Sequence, residues 1–451
     1  MNRLGTSRAR RWEGALRSGF LALSLALLPL ACGGHTGADA EGGGGSGTGG
    51  ETGSGGSGGS DATGSGGSGG GSNGDGGTAT CDVLDQLLSE GTSATGETCE
   101  VATAPGLGFI VPDDWYNIEH LVATDEGLWF SGYDSDAGGF VSALSFDGEA
   151  EVAFTMADGG VSALTLVGGD TLVAAGMIGN DADDSTPQSI YLRRLTLDGD
   201  ELWTARFDSP QHYVAALAPG PDESVYVAAT AGNYDPPSGG SFLRRYDAAG
   251  NLERDIDLNG DGYLFVDDMT ATEEGALYAL VRLPDAQSTF LRALGDDGEV
   301  LWELPQEELG CGCYKLSAAA DGDLYVAGSA GGVYGDLSLA RVSPGGEVLW
   351  TSIVSHGPYA SVGDLTVTEN GAYLFGFFNE GPDSRNDALA VHFGPDGEQL
   401  SLTTKAGSNS ALLWAAASTP AGDVFVAGYA GPGYSGSGDP HSFVMAWPSA
   451  P

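Results

Sequence analysis

A turn followed by a short apolar strand recurs seven times between residues 107 and 451, and this repeat restricts the chain to few folds. Successive copies lie 44 to 53 residues apart. A regular period of this length is typical of architectures in which each unit buries its surface against its neighbours. The copies are EGLWFSG (126–132), GDTLVAAG (169–176), ESVYVAAT (223–230), GALYALV (275–281), GDLYVAG (322–328), GAYLFG (371–376) and GDVFVAG (422–428).

A second pattern follows each copy: a strand, a tight glycine turn and another strand, as in YLRRLTLDGDELWTARF. Each unit thus offers four short alternating strands and almost no helical periodicity. This arrangement predicts an all-β fold, a seven-bladed β-propeller of four-stranded antiparallel blades over residues 107–451. The last unit has only three strands, so LGFIVP (107–112) is predicted to supply its fourth strand and close the ring.

The repeats resemble the bacterial seven-bladed β-propeller repeat family, in which a GNVYVAG-like strand precedes a D-x-x-G-x-x-x-W turn and strand. The turns LDGDELW and DDGEVLW are also similar, more weakly, to the propeller repeats of quinone-dependent dehydrogenases and of the outer-membrane barrel-assembly lipoprotein. The resemblance covers nearly all of residues 107–451. It implies a propeller but no particular activity, because propellers serve as enzymes, binding modules and scaffolds.

Two sets of side chains recur on the predicted blades. Trp203, Trp302 and Trp350 occupy one repeat position, which we interpret as packing between blades. Seven arginines also lie on blade strands, where they either pair with the abundant carboxylates or reach the channel to bind an anion. Pairing is the commoner outcome. These arginines are Arg193, Arg194, Arg244, Arg245, Arg282, Arg292 and Arg341.

The first 31 residues are typical of a lipoprotein export signal. Five arginines precede the apolar stretch FLALSLALLPL (20–30), which is short for a membrane span. The sequence PLACG that ends at Gly33 resembles a bacterial lipobox, which implies that Cys32 is lipidated; an ordinary cleaved signal with a chance cysteine is the alternative. We therefore expect a cell-envelope lipoprotein on the outer membrane or cell surface, because Gly33 rather than Asp follows the cysteine.

Residues 32–80 are mostly Gly and Ser, so we expect a disordered stalk with no core. A short segment, 81–106, lies between this stalk and the propeller and is bounded by cysteines. We predict structural disulfides between Cys81 and Cys99 and between Cys311 and Cys313, because an exported chain meets oxidising conditions.

The formal net charge of −45 limits the partners of the chain. Such an acidic surface repels nucleic acid and anionic lipids, and it suits cations, basic partners or a salty medium. Solubility alone is the simpler explanation. We expect a monomer that contacts the membrane only through its lipid and that binds an unknown protein or glycan.

No catalytic constellation is visible in the sequence. The six histidines are scattered, no HExxH motif is present, and no G-x-S-x-G nucleophile elbow appears outside the Gly/Ser-rich stretch. TLDGDELW comes near the Asp box of sialidase-like propellers, but Gly199 lies one residue too early. We therefore assign no catalytic residue.

Long loops that differ between units connect the second and third strands, for example MIGNDADDSTPQS and ATAGNYDPPSGGS. In a propeller these loops share one face with the crossings between blades. Long, varied loops on a rigid scaffold are typical of binding faces, although neutral insertions are the alternative.

The stretch DLNGDGYLFVDD has the spacing of a calcium loop without flanking helices. It offers Asp257, Asn259, Asp261 and Asp268 as side-chain ligands and Tyr263 through its carbonyl, but Phe at position 9 cannot ligate. Calcium is therefore a candidate cofactor, and an ordinary pair of Asn-Gly and Asp-Gly turns is the alternative.

These features favour a membrane-tethered, exported propeller that acts as a non-catalytic binding module through its loop-rich face. An extracellular carbohydrate-active enzyme, either a lyase or a hydrolase, is one alternative. A scaffold of an envelope assembly is another.

We predict that Cys32→Ala releases the protein from the membrane fraction, because the lipid is its expected anchor. Fractionation of cells that produce either form measures this. An unchanged membrane fraction in the variant would contradict the prediction.

Overall fold

The computed structural model describes residues 108–110, 115–134, 138–156, 159–179, 189–209, 212–231, 240–258, 264–272, 275–283, 288–330, 335–356, 359–379, 385–405, 410–431 and 441–448. By internal contacts the chain divides into residues 1–73 and 74–451, and all described residues belong to the second unit. The expected export signal, the stalk, Cys32 and the segment with Cys81 and Cys99 lie outside the described residues. No helix in the described part is long and apolar enough to cross a membrane.

Seven separate four-stranded antiparallel sheets make up the described chain, which confirms the predicted seven-bladed β-propeller. Blades 1 to 6 each use four consecutive strands. Blade 1 has β2 (Trp115–Ala123), β3 (Gly127–Asp134), β4 (Gly138–Ser145) and β5 (Ala150–Met156); blade 2 has β6 (Gly159–Val167), β7 (Thr171–Ile178), β8 (Ser189–Thr196) and β9 (Glu201–Asp208); blade 3 has β10 (His212–Pro219), β11 (Val225–Ala231), β12 (Phe242–Tyr246) and β13 (Leu252–Asp257).

The second half of the ring continues the order. Blade 4 has β14 (Phe265–Ala271), β15 (Leu277–Arg282), β16 (Thr289–Leu294) and β17 (Val300–Pro305); blade 5 has β18 (Gly312–Ala318), β19 (Leu324–Ala330), β20 (Asp336–Val342) and β21 (Val348–Val354); blade 6 has β22 (Tyr359–Thr368), β23 (Gly371–Asn379), β24 (Asp387–Phe393) and β25 (Gln399–Lys405); blade 7 has β26 (Ser410–Ser418), β27 (Val424–Gly431) and β28 (His441–Trp447). A one-turn helix, α1 (Gln306–Leu309), follows β17.

The ring closes as the sequence predicted. Strand β1 (Gly108–Ile110) pairs antiparallel with β28, with Phe109 opposite Val444, and so becomes the fourth strand of blade 7. Joining the start of the propeller to its last blade removes an unpaired sheet edge.

Apolar alternation places the core between neighbouring blades. The second strand of a blade is buried on both sides, as in β7, where Leu172, Val173 and Ala174 are inaccessible to solvent. The fourth strand alternates between exposed and half-buried residues, as in β9. A blade is therefore covered by its two neighbours on its inner strands and faces water at its outer strand.

Tryptophans link adjacent blades at the turns between third and fourth strands. The indole N–H of Trp203 donates to the Ala248 carbonyl (2.9 Å), that of Trp302 to Pro344 (3.0 Å) and that of Trp350 to Pro395 (2.9 Å), each acceptor lying in the next blade. The predicted inter-blade role of these tryptophans is confirmed.

Each indole ring lies against a turn glycine of the next blade. A Cβ on Gly397 would come within 2.6 Å of the Trp350 ring, and the same holds within 3 Å for Gly250 and Trp203 and for Gly346 and Trp302. These glycines have φ near +83°. Glycine is thus required by both the backbone and the ring.

We expect Trp350→Ala to destabilise the propeller by about 2–4 kcal/mol, because it opens a cavity between the blades and removes one of the two donors to the Pro395 carbonyl. Leu349→Ala is the matched control, since Leu349 is 46% exposed on the same strand; its cost should stay within about 0.5 kcal/mol. Denaturant unfolding measures both. Equal losses for the two variants would contradict the inter-blade role.

Candidate functional site

The innermost strands share a bulge that sets the level of a charged site in the channel. In each innermost strand, the backbone pairing with the second strand of the same blade is interrupted by a bulge and then resumes. In β6 the interruption lies between Val161 and Ala163. The residues at which pairing resumes occupy equivalent places in all seven blades, and we call them the channel waist. They are His120, Ala163, Ala216, Asp268, Lys315, Asp364 and Ala415. Three blades place alanine there and four place a titratable side chain.

Asp268 braces blade 4 against blade 5. Its Oδ1 accepts a hydrogen bond from the Met269 amide (2.8 Å) and its Oδ2 accepts one from the Leu316 amide (2.8 Å). Burial raises the pKa of the Asp268 carboxyl from 3.8 to about 6, although Lys315 and the two amides act in the opposite direction. The carboxylate therefore retains a desolvation cost that its partners only partly offset.

Lys315 lies between two aspartates. Its Nζ is 3.5 Å from Asp364 Oδ1, while Asp364 Oδ2 accepts a hydrogen bond from the Ala416 amide of blade 7 (2.7 Å). Burial lowers the pKa of Lys315, but Asp364 and Asp268 outweigh burial and the net pKa is raised. The ammonium group is thus charged at neutral pH and holds the two carboxylates together.

His120 lies at the same level in blade 1, and Glu119 precedes it in the chain. Burial and the charge of Lys315 lower the pKa of His120 to about 4, so the imidazole is neutral at pH 7. Burial among the surrounding strands raises the pKa of Glu119 to about 6, although water still reaches its exposed side chain. Glu119 is therefore an exposed carboxyl with a raised pKa.

Aromatic and paired side chains surround this cluster. Trp414 and Phe377 meet edge to face at 5.8 Å, and the Tyr314 hydroxyl accepts a hydrogen bond from the Val362 amide (3.0 Å). Arg282 binds both oxygens of Asp267 at 2.9–3.0 Å. The residues beside the waist thus combine aromatic rings with an ion pair that is already satisfied.

The seven blade arginines all pair with carboxylates, which confirms the pairing interpretation. Each has at least one nitrogen within 3.4 Å of a carboxylate oxygen. The pairs are Arg193–Glu201, Arg194–Glu223, Arg244–Asp255, Arg245–Glu253, Arg282–Asp267, Arg292–Glu303 and Arg341 with Asp321 and Asp323.

The candidate calcium ligands lie on two different blades. Asp257 ends β13, the outermost strand of blade 3, whereas Asp268 lies on β14, the innermost strand of blade 4, with its oxygens bonded to amides. Asn259, Asp261 and Tyr263 lie outside the described residues. Within the described ranges no group of three or more His, Cys, Asp or Glu side chains is arranged to hold a metal. The calcium hypothesis stays a prediction.

The remaining predicted features stay predictions too. Cys311 and Cys313 are buried with their sulfur atoms against each other, as the expected disulfide requires. Most of the long loops between second and third strands lie outside the described residues, including 180–188, 232–239 and 432–440.

Sequence reasoning missed the waist as a group, although one pattern pointed to it. Aligned on the bulge, the first strands show His120, Asp268, Lys315 and Asp364 where the other three repeats have alanine. A charged residue at a position where other repeats have alanine indicates a special role, but this contrast is visible only when the repeats are aligned on their first strands.

The fold and the waist define a seven-bladed β-propeller with a charged channel. No protein-family model matches the sequence, and no curated protein matches it. Among solved structures, a family PL25 polysaccharide lyase, an ulvan lyase bound to -[GlcA(1-4)Rha3S]-, is 7% identical with a TM-score of 0.46, covering 75% of this chain and 96% of its own.

Two further structures give similar values. A sialidase of Trypanosoma rangeli is 11% identical with a TM-score of 0.40, covering 77% of this chain and 60% of its own. A luciferin-regenerating enzyme is 10% identical with a TM-score of 0.39, covering 67% and 99%. Similarities this low carry no argument about the activity of this chain.

The raised pKa of Asp268 predicts how stability depends on pH. The folded protein binds the Asp268 proton up to about pH 6, whereas the unfolded chain releases it near 3.8. The contribution of this group is therefore fully present below about pH 4 and is lost as the pH rises to about 6.

Denaturant midpoints of the wild type and Asp268→Asn between pH 4 and 7 test this. The stability of the wild type relative to the variant should fall as the pH rises through that window. A difference that stays constant or increases would show that Asp268 has no raised pKa in the folded protein.

Proposed function

We propose that the chain is an exported, lipid-tethered propeller that acts as a non-catalytic binding module through its loop-bearing face and the adjoining mouth of the channel. The observation that carries the proposal is that the charges of the waist satisfy one another. Asp268 and Asp364 hold backbone amides of the next blade, and Lys315 sits between them. Groups with these partners brace a ring, whereas a catalytic group must be free to exchange protons with a substrate.

The aromatic residues near the waist and the loop-bearing face support a glycan or a protein segment as the ligand. Trp414 and Phe377 offer apolar ring surface, and Tyr213 near the loop-bearing end of β10 is 38% exposed. Aromatic rings with a few polar groups are the usual lining of ligand sites. The acidic surface favours uncharged or cationic ligands over anionic ones.

Glycan and peptide arrays probed with the full chain and with Trp414→Ala test the proposal. We expect ligands that the wild type binds without chemical change and that the variant binds at least about tenfold more weakly, as for loss of a central aromatic contact. Leu349→Ala, on the outermost strand of blade 5, is the control. The absence of any bound ligand would instead support an envelope-assembly scaffold.

A carbohydrate-active enzyme, a lyase or a hydrolase, is the second candidate. Glu119 favours it, because an accessible carboxyl whose pKa is about 6 suits general acid–base chemistry near neutral pH. Chromatography of oligosaccharide ligands after incubation separates the two candidates. Cleavage that Glu119→Gln abolishes would establish the enzyme and overturn the binding proposal.

Calcium bound by the loop from Asp257 to Asp268 is a separate proposal, supported by the ligand spacing alone. Since Asp268 already has amide partners, Asp257 and Asp261 are the side chains to test. Calorimetric titration of the full chain should give heat at calcium concentrations of about 0.1–1 mM, the range of extracellular modules, and Asp257→Ala with Asp261→Ala should remove it. Identical heats for both proteins would exclude this site.

A further inference from the structure

Three blades place an arginine of the third strand in the same slot on the tight-turn face, the face opposite the long loops; Arg194 is buried there, and Arg245 and Arg341 are partly buried. In blade 2 the Arg194 guanidinium donates to Thr171 Oγ1 (2.9 Å) and to the Ala248 carbonyl in the turn of blade 3 (3.3 Å), and it pairs with Glu223 (3.0 Å). Arg194 is only 2% exposed. The slot thus offers a hydroxyl, a carbonyl of the next blade and a carboxylate.

Blades 5 and 3 repeat this arrangement in part: blade 5 keeps the carboxylate and the carbonyl of the next blade, and blade 3 keeps the hydroxyl and the carboxylate. Arg341 pairs with Asp323 and Asp321, donates to the Pro395 carbonyl of blade 6 (2.9 Å), and lies 5.5 Å from the ring centre of its cross-strand neighbour Tyr325. Arg245 of blade 3 contacts Ser224 and Glu253 and lies 5.6 Å from the Tyr226 ring. The slot therefore also has an aromatic wall.

Other blades fill the equivalent space without arginine. In blade 4 the Tyr278 hydroxyl reaches the Pro344 carbonyl (3.4 Å), and in blade 6 His392 stacks on Tyr373 at 4.0 Å. In blade 7 Phe425 stacks on Phe146, which belongs to the turn of blade 1. Each of these six blades supplies its own side chain to the space.

Blade 1 also supplies a second-strand aromatic side chain, the buried Trp129, at the position of Tyr278 and Phe425, but a groove remains beside it. Ala143, which pairs with Trp129, takes the place that Arg341 has opposite Tyr325. Gly127 takes the place of Thr171, so the hydroxyl is also missing. A groove of about 410 Å³ results, with Leu197 of the blade 2 turn as its far wall. We call it the blade 1 slot.

The walls of the blade 1 slot keep the chemistry that holds guanidinium groups elsewhere in the ring. Trp129 provides the aromatic wall, and Leu197 takes the turn position of Ala248 and Pro395, whose carbonyls accept from arginine. Glu126, Glu149 and Glu151 line the groove and are exposed, and the lining contains no lysine or arginine. Among the described residues these three glutamates form no ion pair.

We propose that the blade 1 slot binds the guanidinium of an arginine side chain from a basic partner protein. The planar guanidinium stacks on an aromatic ring and donates to several acceptors at once, whereas the lysine ammonium is a point charge that does neither as well. The chain fills three equivalent slots with its own arginines, and the strongly negative surface attracts a basic partner. This site lies on the face opposite the proposed ligand site, so either proposal can fail alone.

Titration of the full chain with N-acetyl-Gly-Arg-Gly amide and with its lysine counterpart, followed by calorimetry or ligand-observed NMR, tests the site. We expect the arginine peptide to bind at least about threefold more tightly than the lysine peptide. Equal affinities would mean general attraction to an acidic surface and would overturn the proposal.

Two variants locate the binding. Ala143→Arg fills the slot from within, so it should abolish binding of the arginine peptide and raise the melting temperature. Glu149→Gln with Glu151→Gln should weaken binding about fivefold or more, whereas Glu307→Gln with Glu308→Gln, which changes the net charge equally at exposed residues of α1, should not. Undiminished binding in the folded Ala143→Arg protein, or equal effects of the two glutamate pairs, would contradict the site.

Discussion

Closure of the ring is the constraint on which the rest of the structure depends. A four-stranded blade has two apolar faces and cannot bury them alone, so each blade needs a neighbour on both sides. Strand β1 makes this possible by completing blade 7, since it pairs with β28 from the opposite end of the propeller. The packing of every blade against the next, and the channel in the centre, follow from that closure.

Within the closed ring, side chains of one blade form hydrogen bonds with backbone groups of the next blade at two places, near the channel and near the outer strands. Near the channel, Asp268 and Asp364 accept hydrogen bonds from amides on the innermost strand of the following blade. At the outer strands, Trp350 and Arg341 both donate to the Pro395 carbonyl in the turn of the following blade. Polar side chains thus satisfy backbone groups at blade boundaries, where ladder hydrogen bonds between sheets are absent.

The two faces of the ring consequently offer different chemistry. The loop-bearing face adjoins a channel in which Asp268 and Asp364 accept backbone amides and Lys315 pairs with Asp364. The tight-turn face is built from repeated slots. The side chains that the chain itself places in most of these slots show which groups such a slot can bind. In a repeat protein, an unfilled site can therefore be recognised by comparing one blade with the equivalent positions of the other blades.

Much of the fold was predictable from the sequence, because the spacing of the repeated segments directly indicates the number and the length of the blades. The four strands per unit, the closing strand at 107–112, the inter-blade role of Trp203, Trp302 and Trp350, and the pairing of the arginines all follow from residues close together in the chain or at equal places in the repeats. Local alternation and turn chemistry carry this information.

The sites were decided by tertiary structure. His120, Asp268, Lys315 and Asp364 are far apart in the chain, and only the bulges of four inner strands bring them to one level. Ala143 and Gly127 are unremarkable in the sequence, and they become an open slot only where Leu197 of the next blade faces them. The sequence alone determined the number of blades, their strands and the closure of the ring, because these depend on local periodicity. The ring itself decided which charges meet and which space stays open, because both depend on contacts between blades that no local pattern records.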